Sequence, residues 1–182
     1  MFNNLNAGFS YTRTVQQSGT FGNLPDNITT TVTLMPSMNF ALRKGIGGRL
    51  DYSYTSSDNR DLRFGERIQK NEEHRINLSP SYTISPGMAI RIPGSEKSFK
   101  LKSSLQLSSN LQWSRGMQKS VSGGKEMKIR DNTNYNISVS GNYSITRDIS
   151  ASLGFGYRRF VDNLSKRYNS STNFALNVNF NF

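Results

Sequence analysis

With 182 residues, no cysteine, 34% hydrophobic residues and a formal net charge of +11, the chain is too polar for a helical membrane protein and has no thiols for disulfides or thiolate metal sites. Its mean hydropathy is −0.60, and no stretch approaches the ~20 consecutive apolar residues that a spanning helix needs. A strand with one apolar face needs only every second residue to be apolar, so this composition suits a polar-lined β-barrel.

In chain order, the first strand is expected over 2–17, a segment that lacks the apolar core of a signal peptide. An exported protein carrying this chain is therefore expected to be a mature form or the C-terminal part of a longer one. The second strand spans 28–42, where Ile28, Thr30, Val32, Leu34, Pro36, Met38, Phe40 and Leu42 hold one phase. Arg43-Lys44-Gly45 turns the chain into a strand at 46–56 with Ile46, Leu50, Tyr52 and Tyr54 in phase. Another at 74–84 carries Ile76, Leu78, Pro80, Tyr82 and Ile84. Ser85-Pro86-Gly87 leads into 88–92 and then Pro93 to Lys97, read as a short strand or amphipathic excursion along a rim. The next strand, 99–113, alternates Phe99, Leu101, Leu105, Leu107, Leu111 and Trp113 with Lys, Ser, Gln and Asn. At 133–145 the phase is held by Tyr135, Ile137, Val139, Gly141, Tyr143 and Ile145. Thr146-Arg147-Asp148 then turns into 149–160, with Ile149, Ala151, Leu153, Phe155 and Tyr157. The last strand, 172–182, alternates up to an aromatic end through Phe174, Leu176, Val178, Phe180 and Phe182.

Successive side chains of a strand face opposite ways. Soluble strands usually have about 5–6 residues, whereas a tilted strand crossing a bilayer needs about 9–11, and these runs reach the membrane length. The expected fold is all-β: an antiparallel up-and-down transmembrane β-barrel, or an arc of a larger one, of about eight strands in a single segment 1–182. Two three-residue turns alternate with long polar segments near 18–27, 56–73, 114–132 and 161–171. Short periplasmic turns and long extracellular loops follow that alternation in outer-membrane barrels.

Aromatic residues favour membrane interfaces. Tyr52, Tyr54, Trp113, Tyr135, Tyr157 and Phe174 fall toward the outer rim on this topology, and Phe40, Tyr82, Phe99, Tyr143, Phe180 and Phe182 toward the periplasmic rim. The opposite face is built of Ser, Thr, Asn, Gln and Gly. These small groups would fill an eight-stranded barrel poorly and suit a wider, wet lumen.

Positive charge gathers in or beside the segments read as loops: Arg63 and Arg67 in one; Lys125, Lys128 and Arg130 in another; and Arg158, Arg159, Lys166 and Arg167 near a third. Such groups can meet outer-membrane lipids and lipopolysaccharide phosphates, or acidic cargo. Without a recognition motif their basicity does not point to nucleic acid. His74 is the single histidine, and no nearby Ser and carboxylate set makes it more than a loop-edge residue. The acidic residues of 58–73 lack calcium-loop spacing, and Gly45-Ile46-Gly47-Gly48 opens no helix. No catalytic residue, cofactor or metal is expected.

Lys97-Ser98-Phe99-Lys100-Leu101-Lys102 leading to Trp113, Asn136 to Ile149 with its Thr-Arg-Asp turn, and the closing Thr172 to Phe182 resemble the C-terminal end of the SprA family. These are very large outer-membrane barrels of type IX secretion and gliding motility in Bacteroidota-like bacteria. The resemblance implies a wall segment of a protein-conducting pore in the outer membrane of a Gram-negative bacterium, served by barrel-assembly machinery and meeting secreted cargo or secretion partners. A lipopolysaccharide-assembly or porin-like barrel shares every strand feature, and a soluble β-sandwich adhesin or binding module is the alternative outside membranes.

Overall fold

The computed structural model describes residues 2–19, 27–42, 45–62, 67–91, 98–146 and 148–180. Ten strands lie among them: β1 Phe2–Ser18, β2 Asn27–Leu42, β3 Ile46–Asp61, β4 Arg67–Ile84, β5 Ala89–Arg91, β6 Ser98–Lys100, β7 Leu105–Ser122, β8 Lys125–Ser144, β9 Ile149–Asp162 and β10 Arg167–Phe180. The eight long strands form one up-and-down antiparallel sheet in the order β1-β2-β3-β4-β7-β8-β9-β10. Among the described residues nothing pairs with the outer edges of β1 and β10, so the sheet is an open arc. β5 and β6 make a separate two-stranded hairpin within the β4–β7 connection.

The polar segments read as loops turn out to be mostly strand. β3 runs five residues past 56 to Asp61, β4 starts at Arg67 rather than 74, β7 continues past 113 to Ser122, and β8 begins at Lys125 rather than 133. The connections at that end shrink to 19–26, 62–66, Gly123-Gly124 and 163–166. Gly123 and Gly124 have φ of 57° and 75°, the left-handed pair that a two-residue hairpin turn demands and glycine supplies without steric cost. The expected strand 99–113 is instead broken. Its first residues form β6, and 101–104 turn before β7 begins at Leu105. That turn is held by backbone bonds from Leu101 N–H to the Met88 carbonyl at 3.1 Å and from Gly87 N–H to the Leu101 carbonyl at 2.8 Å. The short strand expected near 88–92 is β5, and it pairs with β6.

Register assigns the two faces. Across β3, β4, β7, β8 and β9, Leu50 pairs with Leu78, Leu78 with Leu111, Leu111 with Ile137 and Ile137 with Tyr157. Every apolar phase therefore falls on the same side. A one-residue slip in any strand would turn its apolar set to the other face, and the register is continuous through the belt. Among the described residues nothing covers this apolar face: Phe9 is 71% exposed, Phe174 67% and Leu176 63%. Among the described residues the one buried apolar side chain is Leu101, in the β6–β7 turn. The arrangement is a single layer with no interior of its own, unlike a sandwich, whose inner faces cover each other.

Candidate functional site

The functional surface is the sheet itself, and the apolar face comes first. On β8, Tyr135 and Tyr143 lie eight residues apart with Ile137, Val139 and Gly141 between them. On β4 the corresponding stretch runs from Ile76 to Tyr82, and on β10 from Phe174 to Phe180. Tyr52, Ile76, Trp113 and Tyr135 are consecutive cross-strand partners, a row that places three expected outer-rim aromatics side by side. The Tyr52 hydroxyl lies 2.9 Å from His74 Nδ1, and the Tyr54 ring packs 4.8 Å from the imidazole centroid. His74 thus closes this row on a strand, not at a loop edge.

The aromatic rows cross the hydrogen-bond ladder at a slope. Tyr54 shares a rung with His74, Arg115, Thr133, Val161 and Tyr168, yet the aromatic at the belt edge of β10 is Phe174, six residues nearer the short-turn end after five strand steps. At the other edge, Tyr82 shares a rung with Leu107, Gly141, Leu153 and Leu176, while Phe180 lies four residues further on after four steps. Between these end points both rows advance by about one residue per strand on average, the outer one in steps, since Tyr52, Ile76, Trp113 and Tyr135 share one rung. With ~3.3 Å per residue and ~4.8 Å between strands, that stagger corresponds to a strand tilt of about 35–40°. The eight residues from Tyr135 to Tyr143 then span about 22 Å across the belt, near the ~25 Å apolar band of membrane barrels.

The polar face carries a network of short side chains. Asn110 Nδ2 donates to Asn77 Oδ1 at 2.9 Å and to Ser79 Oγ at 3.1 Å, and the Ser108 and Ser140 hydroxyls meet at 2.7 Å. Arg49 Nε reaches both oxygens of Asp51 at 2.8 Å, and Arg75 pairs with Glu73 at 2.7 Å. A hollow of about 570 Å³ opens on this face, bordered by Ser37, Arg49, Asp51, Arg75 and Asn77. Such a lining satisfies itself in part and leaves hydroxyls and amides for water.

Beyond the aromatic row the apolar phase becomes charged, because the strands continue where the greasy pattern stops. Asp131 is the centre of this region and is only 3% exposed. It accepts from Arg115 at 3.0 and 2.9 Å, from Lys128 at 3.2 Å and from Asn163 Nδ2 at 2.9 Å. These donors, the Arg115 guanidinium foremost, hold its carboxyl well below the usual range against the opposing effect of burial. Asn163 N–H also donates to the Asp131 carbonyl at 2.8 Å, so one residue ties β7, β8 and the β9–β10 turn together. Nearby, Lys119 and Glu126 pair at 2.8 Å, which raises the lysine and lowers the glutamate.

The basic residues expected in loops therefore stand mostly on strands. Arg67, Lys125, Lys128, Arg130 and Arg167 belong to β4, β8 and β10, Lys166 sits in the β9–β10 turn at φ 56°, and Arg158 and Arg159 stand on β9, as the expected strand 149–160 has them. Lys128 and Arg159 are in phase with the apolar face, whereas Arg130 and Arg158 are in phase with the polar one. Lys128 changes face relative to simple alternation because the β7–β8 register shifts between Gln118 and Lys119, leaving Ile129 as the extra residue. Arg63 and Phe182 lie outside the described residues. Phe99 falls in β6, apart from the other aromatics of the short-turn rim.

Sequence reasoning missed the Asp131 centre, for which the signal was a carboxylate beside the basic run Lys125, Lys128 and Arg130 and across from Arg115. It also missed the anchoring of the β6–β7 turn, where Lys102 N–H donates to the Tyr143 hydroxyl at 3.2 Å and the Ser103 hydroxyl donates to the Ser144 carbonyl. No family model, curated protein or solved structure matches the chain. No helix among the described residues is long and apolar enough to cross a membrane.

Proposed function

We propose that this chain is a structural wall segment of an outer-membrane protein-secretion barrel, SprA-like, lining a polar pore and performing no catalysis. The observation that carries the reading is the uncovered apolar face bounded by two aromatic rows that advance together by about one residue per strand. A tilted sheet seated in a bilayer needs that stagger to keep each row at constant depth. A soluble sheet has no such depth to respect. Hydrocarbon tolerates no open sheet edge, so the reading requires further strands to pair with β1 and β10. An arc of a wide barrel also explains why the polar face uses Ser, Thr, Asn and Gly, side chains that leave room for hydrated cargo.

Spin labels test the membrane half of the proposal. Labels at Leu107 and Val139 should relax with lipid-dissolved oxygen, and labels at Ser108 and Ser140 with a water-soluble nickel chelate. Equal accessibility to the chelate at all four positions would refute it. A photo-crosslinker tests the secretion half: placed at Asn110 on the polar face it should form adducts with a polypeptide in export, and at Leu111 it should not. Absence of Asn110 adducts in actively exporting cells would leave a barrel that is not a secretion pore.

A further inference from the structure

Arg159 stands where charge is least expected. It continues the phase of Leu153, Phe155 and Tyr157, so strand alternation directs it to the apolar face, and its cross-strand partners are Tyr135 and Ser170. It shares a rung with Trp113 and Tyr135 and lies two residues beyond Tyr157, the outer-row aromatic of its own strand. Its guanidinium lies over the Tyr168 ring, 4.9 Å from the centroid. Arg115 and Lys128 share Asp131, and Lys119 has Glu126. Arg159, by contrast, has no carboxylate within ion-pair distance among the described residues. Tyr168 is farther from the belt than Ser170, so the side chain leans away from the apolar zone, as a snorkelling arginine does.

We propose that Arg159, steadied by Tyr168, binds a phosphate group of an outer-leaflet lipid and so anchors one lipid to the β8–β10 corner of the wall. This rests on the membrane-wall reading. Held over the ring face, the guanidinium makes no ion pair there and keeps N–H donors for a phosphate, which a guanidinium takes through two parallel bonds. Tyr135, 40% exposed, stands beside Arg159, and the apolar residues Val139, Leu153 and Phe155 lie toward the belt. An acyl chain hanging from a phosphate at Arg159 would pass over them. A free anion would gain only the headgroup contact, whereas a lipid gains the guanidinium and the apolar track together. A cation at this depth without an internal counter-charge is completed by such a ligand, while Arg115, already neutralised by Asp131, has no such need.

The test uses protein extracted from membranes and placed in phosphatidylcholine nanodiscs doped with bis-phosphorylated lipid A, or with the same lipid after phosphatase treatment; co-purifying lipid is counted by mass spectrometry. The wild type should enrich phosphorylated lipid A over the dephosphorylated form by about tenfold, the size expected for one charge-assisted contact. Arg159→Gln should abolish that enrichment, Arg159→Lys should keep part of it, and Tyr168→Phe, which preserves the ring, should keep it. Enrichment that survives Arg159→Gln, or that ignores the phosphates, overturns the assignment. Because Arg159→Gln removes the guanidinium from the Tyr168 ring, a second measurement guards against misfolding: Tyr52–His74 proximity, read by cross-linking, should be unchanged. Stripping of the wild type from membranes by carbonate would overturn the wall reading and this one with it; retention in the membrane with unchanged lipid enrichment in Arg159→Gln overturns this one alone.

Discussion

Val139→Arg places a cation at the centre of the belt. Tyr135 and Tyr143 flank Val139 four residues away on either side, and at the tilt set by the aromatic stagger each lies about 11 Å away along the membrane normal. A basic residue at the bilayer midplane of a barrel costs about 2–4 kcal/mol, falling to about 0–1 near the interfaces. Val139→Arg should therefore lower the unfolding free energy by about 2–4 kcal/mol. Ser138→Arg, one residue away on the polar face opposite Gly156 and Asn110, has open space and hydrogen-bonding neighbours, and should change it by less than about 0.5 kcal/mol. Reversible guanidinium titration of the protein in phospholipid vesicles reads both values, with the single tryptophan, Trp113, as fluorophore in the aromatic row. A shift in midpoint without a change in slope measures the stability difference. Equal midpoint shifts for the two variants would refute the two-faced assignment.

Asp131→Asn should cost about 2–3 kcal/mol at neutral pH through loss of the charge-assisted bonds from Arg115 and Lys128. Because the folded carboxyl titrates below its unfolded value of about 3.9, the stability it contributes is complete above that value and is lost as pH falls toward the folded one. Denaturant titrations between pH 7 and pH 3 should thus show a gap that is constant above about pH 4 and narrows below it without closing by pH 3, and a gap that widens on acidification would contradict the linkage. Gly48→Ala should cost about 1–2 kcal/mol, since its Cβ would stand 2.6 Å from Phe40 Cζ and 3.1 Å from Pro80 Cα. A double-mutant cycle with Phe40→Ala checks the cause, because most of the cost should vanish once the ring is gone.

The eight strands, their pairing order and their two faces were legible because every buried-or-lipid phase obeys a period of two. Strand extent was not. The apolar alternation ends near Trp113 and Tyr135, but the ladder continues through Arg115, Lys119, Lys128 and Asp131, where cross-strand ion pairs replace apolar contacts and hydrophobic periodicity has nothing to report. The Gly123-Gly124 pair was a hairpin signal in its own right, obscured because both flanks are polar. The apparent run from Phe99 to Trp113 misled for the opposite reason: Leu101 keeps the phase of Leu105 and Leu107, yet its backbone bonds go to Met88 and Gly87, which no alternation rule encodes. The Asp131 centre was hidden because its partners come from 16 residues before it and 32 after it in the chain.

The β7–β8 hairpin continues nine residues beyond Trp113 before turning at Gly123, which at the same tilt amounts to about 24 Å of paired backbone. Seated in a bilayer, such a sheet would rise above the headgroups as a stiff parapet rather than a fringe of wandering chain. The opening of the pore would then be a rim of fixed height, so whatever leaves it would be released clear of the lipid surface, and lengthening or shortening one hairpin would reshape that rim without disturbing the wall below.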